Sequence, residues 1–187
     1  MLILDIETKP NKKLRKLFAA NNNLDGLTEP QIHKMMATDQ DYCDIVCIGI
    51  KRVGGESRVY DDIKKIGTQD WNIWIEQLPL LTYNGKRFDI PVLIKKGLEA
   101  GIELPYKRLY DACKPWNYGD RHIDLMEIIS FGRKWKSLDE MLQIYLGIEK
   151  KTKGPNFFVK ATKKQLMEHC LEDLSLTEQL AKKFRLL

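Results

Sequence analysis

The chain begins with apolar residues, followed by acidic and apolar residues in alternation, and this pattern predicts a β-strand over residues 1–7. Successive side chains of a strand point to opposite faces. Leu2, Leu4 and Ile6 therefore share one face, whereas Ile3, Asp5 and Glu7 share the other. Three further strands are predicted from short apolar segments at 45–50, 58–60 and 80–83, the first two joined by a Gly54-Gly55 turn.

Apolar residues at helical spacing predict helices between and after these strands. Ser137 with Glu140, and Thr162 with Gln165, have the spacing of capping boxes. Further predicted helices are 14–18, 32–36, 71–78, 90–100 with Gly101 as its stop, 137–146, and 162 to about 184. Strands come first, then mixed elements, then helices, without a repeat or a linker. This order predicts one α/β domain over residues 1–187.

Composition excludes some classes of protein and permits others. The chain has 187 residues and a formal charge of +5, which permits a polyanionic partner. It has no apolar segment of the length that a membrane helix needs. Strand-like sequence starts at Met1 without a leader pattern, so we expect a cytoplasmic protein with no membrane partner.

The four cysteines, Cys43, Cys47, Cys113 and Cys170, are scattered and form no CxxC motif. In a protein without a leader they are expected to be buried, reduced thiols. A zinc site is the alternative for this group; it would combine Cys43 and Cys47 with His33, His122 or His169.

Asp5 and Glu7 are the most informative residues of the chain. At about 4 Å and an effective dielectric near 20, two like charges repel by roughly 4 kcal/mol. Such a pair on an apolar strand persists most easily if a divalent cation lies between the carboxylates. The alternative is a frayed N-terminal strand whose acids are solvated.

A second polar segment, residues 83–91, follows the predicted strand at 80–83. Asp89 lies at or near the start of a helix, where a carboxylate can also act as a simple cap. Asn84 and Phe88 suit a nucleotide, through hydrogen bonds and base stacking. Phe88 could equally be a core aromatic beside the start of the helix. Lys86 and Arg87 are positioned next to them to meet a phosphate.

A third segment lies within the last predicted helix. His169 and Asp173 are four residues apart and therefore lie on one helical face, one turn from each other. Alone, such a pair is common and inert.

Together the three segments resemble the DEDD superfamily of 3′–5′ exonucleases. Asp5, Glu7, Asp89 and Asp173 have the order and the local settings of its four acids. The segments at 122–125 and 137–138 are also similar to that superfamily. The resemblance is nearest to the proofreading exonuclease domains of family B DNA polymerases and to small free-standing relatives.

The resemblance implies a ribonuclease H-like fold, with a mixed sheet of about five strands flanked by helices. It implies that the four acids surround two divalent cations, Mg²⁺ or Mn²⁺. The implied reaction removes nucleoside 5′-monophosphates from a single-stranded DNA or RNA 3′ end, with DNA favoured. It further implies that Thr8 helps to hold the terminal 3′-hydroxyl and that Asn84 and Phe88 line the path of the last nucleotides.

The chain departs from the superfamily at the residue that orients the attacking water. The superfamily has Tyr four positions before the last Asp, or His five positions before it. Here His169 occupies the tyrosine position and Glu168 occupies the histidine position. One hypothesis is that His169 replaces the tyrosine and orients or deprotonates the water; the other is that it is a spectator.

Other interpretations stay open from sequence. Residues 150–158 combine lysines with Phe157 and Phe158, which is typical of single-strand binding and equally of solvated lysines over packed aromatics. The chain could be a catalytically weak nucleic-acid-binding or polymerase-accessory module, or an endonuclease of the same broad fold. Because no polymerase domain follows Leu187, we expect any proofreading to act in trans with a polymerase or replication partner.

Overall fold

A computed structural model describes residues 1–114, 121–130, 134–150 and 155–187, apart from the side chains of residues 76, 77, 155 and 156. A mixed sheet forms the centre of this structure. Its five strands are β1 (Leu2–Pro10), β2 (Cys43–Arg52), β3 (Ser57–Tyr60), β4 (Leu80–Thr82) and β5 (His122–Asp124). They lie in the order β3-β2-β1-β4-β5. The pairs β1–β2 and β2–β3 are antiparallel, and β1–β4 and β4–β5 are parallel.

Helices cover both faces of the sheet. In chain order they are α1 (Arg15–Asn21), α2 (Glu29–Ala37), α3 (Thr68–Trp71), α4 (Asp89–Ala100), α5 (Tyr106–Ala112), α6 (Leu125–Ser130), α7 (Leu138–Leu146), α8 (Pro155–Lys160) and α9 (Lys163–Lys183). The predicted helix at 71–78 is here α3 followed by a π-helical segment, Asn72–Gln77. The predicted α/β fold class is confirmed.

The central strand β1 divides the core as its alternation predicts. Leu2, Leu4 and Ile6 belong to one buried cluster, together with residues of α3, α4 and α5. Ile3 belongs to a second cluster, formed with residues of α6, α7 and α9. Asp5 and Glu7 therefore lie on the face that α9 covers.

A glycine in β2 allows α9 to approach the sheet closely. Gly49 is the partner of Asp5 in the β1–β2 register. A Cβ atom at this position would lie 2.4 Å from Cys170 Sγ and 2.9 Å from Leu174 Cδ1, both in α9. The absence of a side chain at Gly49 thus sets the short distance between α9 and the acids of β1.

Capping residues fix the position at which α9 begins. Thr162 and Gln165 form both hydrogen bonds of a capping box, as predicted. Ser137 caps α7 by accepting a hydrogen bond from the Glu140 amide. The four cysteines form no disulfide, and Cys43, Cys47 and Cys170 are buried as expected, whereas Cys113 is only half-buried. Within the described ranges, no helix has the length and apolar character needed to cross a bilayer.

Candidate active site

Acids that are distant in sequence converge on the face of β1 that α9 covers. Ligand atoms of Glu7, His169 and Asp173 all lie within 4.8 Å of one another. Asp5 is close enough to Glu7, Asp173 and Asp89 for each of their charges to raise its pKa. The three predicted segments, the first and last of which are more than 160 residues apart in the chain, thus form one site.

The carboxyl group of Asp5 is in an unfavourable environment. Burial raises its pKa well above the usual value, and the charges of Glu7, Asp173 and Asp89 raise it further. Asp5 Oδ2 is buried and has no hydrogen-bond partner among the described residues. A carboxylate in this position needs a cation or a proton.

Asp89 is held at the site by the backbone of β1. Asp89 is the first residue of α4, and Phe88 is the N-cap. Asp89 therefore lies next to the cap, as predicted. Its Oδ1 accepts a hydrogen bond from the Ile6 amide at 2.8 Å. Burial raises the pKa of Asp89 to about 8 despite this bond.

His169 connects the first and third segments. Its Nδ1 lies 2.6 Å from Glu7 Oε1 and 3.8 Å from Asp173 Oδ2. Burial alone would lower the pKa of His169, but the bond to Glu7 and the charge of Asp173 outweigh it and raise the pKa. The ring is packed by Phe157 and Phe158 of α8, at centroid distances of 5.7 and 5.3 Å.

Lys150 is a residue of the site whose role was not predicted from sequence. Its side chain is 3% exposed, and its Nζ lies 2.5 Å from Asp173 Oδ1 and 3.3 Å from Asp139 Oδ1. The interpretation of Lys150 as a solvated loop lysine is therefore wrong, because its ammonium is buried between two acids. Asp139 and Asp173 lie in different helices, α7 and α9, and nothing in the sequence around either residue indicated this contact. Lys151 and Lys153 of the same predicted loop lie outside the described residues.

Asp124 was also given no role from sequence, although its segment was part of the family resemblance. It is 1% exposed. Its carboxylate accepts hydrogen bonds from the backbone amides of Asn84, Lys86 and Met126, at 2.8, 2.9 and 3.1 Å. These bonds hold the loop before Asp89, in which Asn84 has a positive φ of 67°. Such a conformation is unusual outside glycine, and the Asp124 bonds stabilise it.

The residues predicted to contact nucleic acid lie around these acids in different environments. Thr8 follows Glu7 in β1, and its hydroxyl donates to the Ala37 carbonyl of α2. Phe88 is half-buried and packs against the core. Arg87 is exposed and lies over the Trp135 ring, 3.2 Å from its centroid.

Lys86 differs from Arg87 in its surroundings. It is 4% exposed, and its Nζ lies 2.9 Å from Glu127 Oε2. A phosphate contact would require Lys86 to leave this buried ion pair, which is costly. Of the two basic residues before Asp89, Arg87 is therefore the one whose side chain is accessible to a phosphate.

Comparison with known families agrees with this arrangement. The family model described as predicted 3′–5′ exonucleases related to the exonuclease domain of PolB matches residues 36–153, more than half of the 187 residues. The chain belongs to this family, which confirms the resemblance seen in the sequence. The matched range contains Asp89 and Asp124 but not the first or third acidic segment.

Solved structures show the same fold. The chain is similar to the structure of the family B DNA polymerase from the hyperthermophilic archaeon Pyrobaculum calidifontis, with a TM-score of 0.54 and 18% identity. The similarity covers 97% of this chain and 24% of the polymerase chain, so it extends over about a quarter of that protein. At this identity it supports the fold alone, and it agrees with the predicted ribonuclease H-like architecture. A search of curated proteins gave no match.

Proposed function

We propose that residues 1–187 form a single exonuclease domain that hydrolyses single-stranded nucleic acid, DNA in preference to RNA, from its 3′ end. The products are nucleoside 5′-monophosphates, and the reaction depends on two Mg²⁺ or Mn²⁺ ions. The observation that carries the proposal is the convergence of Asp5, Glu7, Asp89 and Asp173 in a largely buried site.

The acids present fit hard divalent cations. Mg²⁺ and Mn²⁺ prefer carboxylate oxygen ligands. Asp5 Oδ2 lacks any other partner in the described structure, and burial raises the pKa of Asp5, Asp89 and Asp173. Asp5, Glu7, Asp89 and Asp173 would hold the ions. When bound, two such ions supply activation of water, a clamp on the phosphate and stabilisation of the leaving oxygen.

The remaining residues of the site position groups or neutralise charge. In the proposal, His169 holds Glu7 through Nδ1 and takes the place of the tyrosine beside the attacking water. Lys150 neutralises part of the Asp173 charge. Asp124 fixes the loop that carries Asn84, Arg87 and Phe88. In the proposal, Thr8 helps to hold the terminal 3′-hydroxyl beside Glu7.

The proposed activity is tested with a 5′-labelled single strand in Mg²⁺ or Mn²⁺. We expect a ladder of shortened products and release of mononucleotides, with none in EDTA. A circular single strand of the same sequence should resist cleavage, whereas an endonuclease would open it. Binding without cleavage in either metal would instead support the accessory-module alternative.

Matched DNA and RNA oligonucleotides determine the sugar preference. We expect faster degradation of DNA when both strands are offered with the same metal. Contacts to the 2′ position decide this preference. Equal or faster RNA degradation would overturn the DNA preference and leave the exonuclease proposal intact. Addition of a replicative polymerase would test the proposed action in trans.

The two hypotheses for His169 are separated by a pair of substitutions. If His169 acts on the water, His169→Ala should lower the single-turnover rate at neutral pH by about 100-fold or more. His169→Tyr should retain more activity than His169→Ala, because the position is that of the superfamily tyrosine. An undiminished rate in His169→Ala would make the residue a spectator.

A further inference from the structure

A cleft of about 360 Å³ lies beyond the Glu7 end of the candidate active site. Its lining consists of Lys9 and Pro10 of β1, Lys12, Arg15 of α1, Val159 of α8, and three residues of α2, Glu29, His33 and Met36. Three cations and one acid thus surround the cleft. Arg15 pairs with Glu29 at 2.8 Å, which leaves an excess of positive charge on Lys9 and Lys12.

His33 provides an uncharged polar group in this cleft. Its Nδ1 is buried and has no hydrogen-bond partner among the described residues. Burial and the nearby Lys9 ammonium lower the pKa of His33. In the neutral ring one of the two nitrogens carries a proton, and that N–H can donate a hydrogen bond to an oxygen of an anion.

The cleft is connected to the acid cluster by shared elements. Lys9 lies two residues after Glu7 on the same strand, so their Cα atoms are about 7 Å apart. Lys9 Nζ donates to the Ala161 carbonyl, immediately before the N-cap of α9. Val159, which lines the cleft, is one residue after Phe158, which packs on His169.

We propose that this cleft binds a phosphodiester of the substrate strand on the 5′ side of the bond that is cleaved. Lys9, Lys12 and Arg15 are its positive groups, and His33 completes it. The inference rests on the proposed exonuclease function. A strand whose 3′ end is at the acid cluster has no further phosphate on the 3′ side, so a second bound phosphate must belong to the upstream nucleotides.

This assignment makes the contribution of the cleft depend on substrate length. A dinucleoside monophosphate without terminal phosphates offers only the cleaved phosphodiester and cannot use the cleft. A 12-nucleotide single strand offers upstream phosphates. The wild-type protein should therefore have a higher kcat/KM for the 12-mer than for the dinucleotide.

A matched pair of double variants isolates the cleft. Lys12→Gln/Arg15→Gln removes two charges from its lining. Lys13→Gln/Lys16→Gln removes two charges from exposed positions next to them that do not line the cleft. Both variants change the net charge by the same amount, and thermal melting checks that both are folded.

We expect the cleft variant to lose about tenfold in kcat/KM on the 12-mer, with a smaller salt slope, and to retain wild-type activity on the dinucleotide. The control variant should retain activity on both. Anisotropy of a 5′-labelled 12-mer in Ca²⁺ should show the same difference in Kd. Equal effects of the two variants, or an equal loss on dinucleotide and 12-mer, would overturn the cleft assignment. Failure of the wild-type protein to cleave either substrate in Mn²⁺ would instead overturn the exonuclease function.

Discussion

Asp5 and Asp124 are two aspartates of the same sheet whose carboxyl groups have different hydrogen-bond partners and different neighbouring charges. Asp124, at the end of β5, accepts three hydrogen bonds from backbone amides. Asp5, in β1, has an oxygen without a partner in the described structure and has three other acids near it. Burial raises the pKa of both carboxyls.

The difference lies in what accompanies burial. The backbone bonds lower the pKa of Asp124 against the effect of burial, whereas Glu7, Asp173 and Asp89 add to the effect of burial at Asp5. Asp124 is thus satisfied by the protein itself and positions a loop. Asp5 instead needs a proton or a cation, and this difference separates a carboxylate that the fold itself satisfies from the one proposed to bind a metal.

Asp5→Asn should produce the largest effect on activity. The neutral amide is a poor ligand for a hard cation, so the single-turnover rate in Mg²⁺ should fall by about 1000-fold or more, equivalent to several kcal/mol. The metal-free variant should be at least as stable as the wild type, because the substitution removes like-charge repulsion. A stable variant with a nearly normal rate would contradict the assigned role.

In the metal-free protein, Lys150→Met should be more destabilising than Asp5→Asn or Asp124→Asn. It leaves Asp139 and Asp173 without their shared ammonium, and breaking a buried ion pair costs about 3–5 kcal/mol. Denaturation in urea with EDTA measures this loss. Mg²⁺ should raise the stability of this variant more than that of the wild type.

Lys164→Met is the control for Lys150→Met, because Lys164 has an 89% exposed side chain in the first turn of α9. It should change stability by less than about 0.5 kcal/mol. Equal effects of the two substitutions would show that the Lys150 pairs do not stabilise the fold.

Asp124→Asn should lower stability by about 2–3 kcal/mol, since one amide oxygen cannot replace a carboxylate that accepts three backbone bonds. Calorimetry measures the fall in Tm, with the exposed Asp25→Asn as a control. Activity per folded molecule should fall less than in Asp5→Asn. The opposite pattern, with a stable fold and no activity, would give Asp124 the role assigned to Asp5.

The metal-free protein should lose stability as the pH rises between about 4 and 8. Asp89 has a pKa near 8 when folded and an ordinary value near 3.8 when unfolded, so the unfolded chain releases this proton first. Asp89 alone contributes at most about 1.4 kcal/mol per pH unit. Urea denaturation in EDTA measures the slope.

Two comparisons check the pH prediction. Asp89→Asn should flatten the slope in this pH window. Mg²⁺ should also flatten it, because the cation binds the deprotonated carboxylates. A metal-free stability that is constant between pH 5 and 8 would contradict the burial of these acids.

Much of the architecture could be predicted from local chemistry. The alternation in β1 determined which residues face each core cluster, and Thr162 with Gln165 determined where α9 begins. The family resemblance could be drawn from the local settings of three short segments, and the match of the family model over residues 36–153 confirmed it. The positions of His169 and Asp173 follow from helical spacing once α9 is packed on β1.

The contacts that depend on packing between distant segments could not be predicted. Nothing in the apolar segment at 45–50 indicated that Gly49 would set the approach of α9. Lys150 had the composition of a surface loop, and only the fold buries it between Asp139 and Asp173. Lys86, predicted to face phosphate, lies instead in an ion pair with Glu127 from a helix 41 residues away.

Binding of Mn²⁺ to the purified protein, measured by the loss of the free-ion electron paramagnetic resonance signal, tests the metal assignment directly. The wild-type protein should bind two ions, Asp5→Asn should bind fewer and more weakly, and folded Asp124→Asn should retain both. No Mn²⁺ binding to the wild type, or the same binding in Asp5→Asn, would contradict the assignment of these acids to a divalent-cation site.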